Sequence, residues 1–373
     1  MPRPDQVGPA RTHPPVHDVV AAVVRKVPAR TAVRTGTDAV TYRELDLWAG
    51  QIARRLAAAE VGRGDHVGVL VEPSPAMVAA ALGALRAGAA YVPLDPAMPA
   101  GDLRAALSGA AVRCVVTRST AAARPAGLGA VRLPTVAVES HGTLPVPERE
   151  GAATPVSAPD GSAYVTVPVP RGAGASGGVV VTHAELSAAT LSRRALCPGT
   201  PVLLLAEPLT HEVAAAGLWA TLTAGGRLIL ASEEQTREPG ALARLVERHR
   251  VTQLLCTSGL FDELLGAAVR PGLQQQLRTL DTVTLAAGPP AASLINRHET
   301  LLGRAVALVD VTRSTTTPAA GAAVDADTDV DADADADADA DARGRFGRPD
   351  AVVRRLARPA PRTRAGAGAV PTY

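Results

Sequence analysis

The chain has 373 residues, 47% of them hydrophobic, which excludes a short peptide scaffold and leaves room for one large domain or two ordinary ones. Its formal charge of +2, from 38 basic and 36 acidic residues, gives none of the global field that marks nucleic-acid binders. Three cysteines, Cys114, Cys197 and Cys256, are too few and too scattered for a disulfide framework or a zinc cluster, and no apolar run reaches the roughly 18 residues of a spanning helix.

The Pro-rich opening lacks the apolar core of a signal peptide, so residues 1–16 read as a disordered arm and the expected compartment is the cytoplasm, with no membrane or nucleic-acid partner. Valines at 19, 20, 23 and 24 predict a short helix over 17–26. Two short strands flanking Gly36-Thr37-Asp38 predict a hairpin, and Thr41 three residues before Glu44 predicts a capping box for a helix over 42–59. Strands at 66–71, 89–93 and 112–117 then alternate with helices at 75–87 and 101–108, which implies a parallel sheet covered on both faces.

Residues 121–162 are rich in Pro, Gly and Ala and read as loops around one short strand. After a strand at 163–169, a Gly-rich loop and a helix near 183–195, the alternation resumes. Strands are expected at 202–206, 227–231, 253–256, 282–286 and 305–311, and helices at 212–223, 239–249, 260–268 and 292–302. Nine aspartates alternate with small residues from Asp325 to Asp341, so 319–342 reads as a disordered insert. Residues 343–373, with eight arginines, read as a tail. Aromatics are only 2% of the chain, so the core must be built from Ala, Val and Leu. Lys26 is the only lysine.

Three ordered strings carry a resemblance: Thr41-Tyr42-Arg43-Glu44-Leu45, Val61-Gly62-Arg63-Gly64-Asp65-His66-Val67, and Leu85 to Pro96. With Leu218 to Leu228 and Leu277-Arg278-Thr279-Leu280 they resemble amino-acid adenylation domains of non-ribosomal peptide synthetases, in the AMP-forming synthetase and ligase superfamily. The resemblance implies an α/β fold, the N-terminal portion of the synthetase fold, with two αβ subdomains of parallel-rich sheets at about 17–200 and 201–318 and without the C-terminal lid domain. It also implies ATP and Mg²⁺ as cofactors, an amino acid or aryl acid as substrate, and a synthetase module or a small accessory protein as partner.

Against that family pattern the site motifs are altered. The phosphate loop keeps its flanks, Ala163-Tyr164-Val165 and Gly178 to His183, including Thr182, but between them it has lost most hydroxyls and carries Gly177 in the place of the lysine. Two readings stay open: backbone amides at Gly172, Gly174 and Gly177 facing a phosphate with Arg171 supplying charge, or a plain glycine-rich loop. Counting back from Gly225-Gly226, His211 and Glu212 occupy the substrate-recognition position, where the family aspartate meets an α-amino group; alternatively Glu212 merely begins a helix. In the adenine and magnesium motif only Thr315 is retained, and Thr316 replaces the glutamate that helps hold Mg²⁺. No catalytic or metal-binding residue is assigned. The expectation is a truncated, degenerate pseudoenzyme, inactive alone. The alternatives are an adenylating enzyme completed by a lid in trans, or a non-catalytic nucleotide- or partner-binding module.

Overall fold

A computed structural model describes residues 13–36, 38–118, 133–138, 161–167, 178–197, 199–269, 271–286, 290–303, 306–314 and 350–355. The expected capping box forms. The Thr41 hydroxyl accepts from the Glu44 backbone N–H while the Glu44 carboxylate accepts from the Thr41 N–H, and helix α2 (Tyr42–Ala58) starts there. Before it come α1 (Val16–Lys26) and the antiparallel hairpin β1 (Thr31–Arg34) and β2 (Ala39–Thr41).

The first alternating run is β3 (His66–Leu70), α3 (Pro75–Arg86), β4 (Ala90–Leu94), α4 (Ala100–Gly109) and β5 (Val112–Arg118), followed by β6 (Thr135–Val138) and β7 (Ser162–Thr166). β8 (Val179–Thr182) pairs antiparallel with β7 and leads into α5 (His183–Leu196). The second run is β9 (Val202–Leu205), α6 (Glu212–Thr223), β10 (Arg227–Leu230), α7 (Glu233–Thr236), α8 (Pro239–His249), β11 (Gln253–Thr257) and α9 (Ser258–Ala267). It continues through α10 (Pro271–Gln276), β12 (Thr282–Ala286), α11 (Ala292–Leu301) and β13 (Ala307–Ser314) to β14 (Asp350–Arg355).

These strands form a six-stranded sheet of order β6-β5-β3-β4-β7-β8 and an eight-stranded sheet of order β14-β13-β12-β11-β9-β10-β1-β2. Both are parallel except at antiparallel edge pairs. The boundary near residue 200 therefore does not separate the sheets. β1 and β2, far upstream, join the second sheet, with Val33 opposite Leu228 in parallel register. Within the Arg-rich tail, residues 350–355 pair antiparallel with β13 as a strand. Ala351-Val352-Val353 supplies a β-forming centre that the surrounding arginines obscure in the sequence. Of the expected arm 1–16, residues 1–12 lie outside the described residues, as does the expected insert 319–342, whereas the Pro14 carbonyl accepts from the Ser187 hydroxyl at 3.1 Å and Val16 begins α1, buried at 1% exposure.

Strand alternation sorts side chains into layers. Val67, Val69, Tyr91, Cys114 and Val116 of the first sheet and Leu203, Leu205, Leu228, Leu230 and Leu255 of the second share one central core. Helices α1, α2, α3, α5 and α6 fill the space between the sheets. The opposite parity, Leu204, Ile229, Leu254 and Cys256, faces an outer core with α8, α9 and α11, while Ala90, Val92, Leu94 and Val115 face α4. Helix, sheet, helix, sheet and helix thus stack in five layers. Among the described residues, no helix is long and apolar enough to cross a membrane.

With few aromatics, close approach replaces bulk. A Cβ on Gly83 of α3 would lie 2.8 Å from the Ile52 side chain of α2, so that helix pair packs backbone to side chain. Four aromatic residues sit at the joints. The Trp219 indole N–H of α6 donates to the Tyr91 hydroxyl of β4 at 3.0 Å, and Tyr91 stacks on Tyr164 of β7 with ring centroids 5.4 Å apart. The Tyr42 hydroxyl donates to the Gly226 carbonyl at 2.8 Å, with the Leu222 carbonyl 3.0 Å away.

Candidate functional site

Ligands of open parallel sheets bind beyond the carboxyl ends of the strands. At that end of β9 the chain continues as Ala206-Glu207-Pro208-Leu209-Thr210-His211 and enters α6. The turn is held by the His211 N–H, which donates to the Pro208 carbonyl at 3.0 Å. It brings together two side chains, of which the sequence reading named only one. Glu207 Oε2 lies 2.7 Å from His211 Nδ1, with the Glu207 side chain 1% exposed and the His211 ring 49% exposed. The missed signal was a carboxylate four residues before a histidine, directly after an apolar strand.

The Glu207 carboxylate, bonded to Nδ1, holds the His211 imidazole above its ordinary pKa; partial burial works the other way but loses. The pair therefore contributes stability that is fully present below about pH 6.5, the value for a free histidine, and is lost as pH rises through the raised value. Nδ1 is occupied, so Nε2 is the ring's remaining polar atom. Beneath the pair, Cys256 is buried at the end of β11, and burial followed by the Glu207 charge pushes its thiol far above the usual range. That thiol is protonated and inert.

Removing His211 strands a buried carboxylate, whereas removing both partners does not. His211→Ala is expected to lower the denaturation midpoint more than the Glu207→Gln/His211→Ala double variant does. In a double-mutant cycle that includes Glu207→Gln alone, a double-variant loss equal to the sum of the two single losses would show that the contact carries no coupling.

The other expected site residues are placed as follows. Glu212 is the first residue of α6, consistent with its helix-start reading, and its side chain lies outside the description. Thr182 is the N-cap of α5: its hydroxyl accepts from the Glu185 N–H at 3.2 Å and donates to Glu185 Oε2 at 2.8 Å. That hydroxyl is engaged within a capping box. Gly172, Gly174, Gly177 and Thr315 lie outside the described residues. β7 and β8 nevertheless flank the glycine-rich stretch as a hairpin that leads into α5.

His183, next to Thr182, turns inward. Its ring meets His17 of α1 edge-on with centroids 5.4 Å apart, and both residues are 2% exposed. Among the described residues no three His, Cys, Asp or Glu side chains converge as a metal site. Thr316, expected in the family's glutamate position, lies outside the described residues. A small cavity bordered by Arg193, Thr221 and Gln253 lies at the opposite, amino end of β11.

Comparison with known proteins now decides the family. The AMP-binding enzyme family matches residues 20–353. The chain belongs to that family. Its relatives are nonribosomal peptide synthetases. It is 30% identical over 291 residues to a dimodular nonribosomal peptide synthase of Bacillus subtilis, covering 72% of this chain and 12% of that protein. It is also 30% identical over 280 residues to phosphinothricin tripeptide synthetase PhsC of Streptomyces viridochromogenes, covering 74% and 25%. The nonribosomal peptide synthetase FmoA3 in its AMPPNP-bound form superposes with a TM-score of 0.69 at 27% identity, over 83% of this chain and 32% of that one. The chain spans a quarter or less of the two curated relatives. The two parallel-rich sheets are those of the adenylation-domain fold of AMP-binding enzymes.

Proposed function

We propose that this chain is an adenylation-domain scaffold of nonribosomal peptide synthesis whose own activation of a carboxylic acid by ATP is impaired or lost. One observation carries the reading: the connection between β7 and β8, the family's phosphate loop by resemblance, has Arg171 as its only cation and Gly177 in the lysine position. Arginine does not reproduce the point charge of lysine there. The Thr316 replacement and the engagement of the Thr182 hydroxyl by Glu185 support the same reading.

Removing one preorganised donor from a reaction that develops charge typically slows it by about 10²- to 10³-fold, and two such losses compound. ATP–pyrophosphate exchange with panels of amino acids and aryl acids is therefore expected to stay at the level of a blank without acid. Exchange at an ordinary turnover, on the order of 1 s⁻¹ or faster, overturns the reading.

A second reading, a binding module for a nucleotide or acyl ligand that partners a synthetase module, is favoured by the intact Glu207–His211 pair, which leaves Nε2 at a half-exposed ring. Thermal shifts with ATP, AMP and a non-hydrolysable acyl-adenylate separate the two, because a ligand at 100 times its Kd adds about 2.7 kcal/mol.

A further inference from the structure

On the outer face of the second sheet cations gather, and among the described residues no carboxylate forms an ion pair with them. Strand parity puts Leu228 and Leu230 in the central core with Val33, so Arg227 of β10 and Arg34 of β1 share the opposite face. There α8 ends in Arg248 and His249. The Arg227 guanidinium donates through Nη2 to the His249 carbonyl at 3.1 Å, and its Nε is buried without a hydrogen-bond partner. His249 is 8% exposed, Arg248 is exposed, and Arg34 and Arg227 are half-buried. Among the described residues none of the four takes part in an ion pair with a carboxylate.

The carbonyls at the end of α8 attract a cation, which accounts for Arg227 at that terminus. They do not account for two more guanidiniums beside a buried imidazole. We propose that Arg34, Arg227, Arg248 and His249 form a binding site for a small oxyanion of the sulfate or phosphate type, at the junction of β1, β10 and the end of α8. Guanidinium N–H groups match the oxygens of such an anion in charge and geometry.

The site has a distinctive signature. Burial, then Arg34 of β1, Arg248 of α8 and Arg227 of β10, hold the His249 imidazole below its ordinary pKa, and no carboxylate is among the groups acting on it. A bound dianion offsets two of the three guanidinium charges and favours the imidazolium, so binding is accompanied by proton uptake at His249.

Calorimetric titration of the full chain with sodium sulfate at pH 6, at constant ionic strength and in two buffers of different ionisation enthalpy, tests the site. Expected are saturable one-to-one binding with net proton uptake, at least tenfold weaker binding in Arg34→Gln/Arg248→Gln, and weaker binding without proton uptake in His249→Gln. A response that does not saturate, matches that of chloride, or is the same in Arg34→Gln/Arg248→Gln overturns the proposal.

Discussion

Acidification from pH 7 to pH 4.5 is expected to cost the folded protein about 2–3 kcal/mol through one buried histidine. His17 of α1 sits 2% exposed against α5, and its pKa is lowered to about 3 by burial first, then by the nearby His183 and Arg86. In the unfolded chain the same ring titrates near 6.5. The folded form therefore binds fewer protons than the unfolded form between those two values. Stability is intact above pH 6.5 and drains away as pH falls toward 3, where the loss reaches on the order of 4 kcal/mol.

His183 is shifted in the same direction, by burial against a smaller opposing influence of Asp18, and adds to the effect. Urea midpoints at pH 7 and pH 4.5, compared between the native chain and His17→Phe, measure this. Removing the titrating ring should flatten the pH dependence; an equally steep dependence in the variant would assign the acid sensitivity elsewhere.

The second large effect is expected at Trp219. The side chain is fully buried, fills the layer between the sheets, and donates its indole N–H to the Tyr91 hydroxyl. Trp219→Ala should cost about 3–5 kcal/mol from the lost volume alone. It also leaves the Tyr91 hydroxyl, itself raised in pKa by burial, without its donor. Against a domain stability of roughly 5–15 kcal/mol, that leaves little of the fold. Trp219→Phe keeps most of the volume and removes the hydrogen bond, with an expected cost of about 1–2 kcal/mol. Denaturant midpoints of the two variants separate packing from polarity, and a Phe variant as unstable as the Ala variant would give the hydrogen bond the larger share.

The local elements were legible because their signals are local. Thr41 with Glu44 marks a helix start, and the helices over 212–223 and 239–249 fall where the apolar period and the flanking residues place them. Short elements escaped. α7 and α10 have only four and six residues, too few for a helical period to show, and the valines of β8 read as a motif flank. The joining of the first hairpin to the second sheet was also hidden, because nothing in Thr31–Arg34 names its partner strand β10.

In the candidate site, His211 and Glu212 were found by counting from Gly225-Gly226, whereas Glu207 was not, since its pairing depends on a turn that only folding closes. The contact of His17 with His183 likewise follows from how α1 lies across α5 and has no sequence signature.

The distant pairing of the first hairpin has a kinetic consequence. Arg30, just before β1, bonds the Gly225 carbonyl across 195 residues, and β1 has β10 as its parallel neighbour. On a ribosome adding about 5–20 residues per second, the emerging hairpin waits roughly 10–40 s before its partner strand exists. Throughout that interval the apolar side of β1 and β2 is uncovered in the nascent polypeptide. Such high contact order slows folding, and chaperone dependence during synthesis should therefore centre on this opening hairpin.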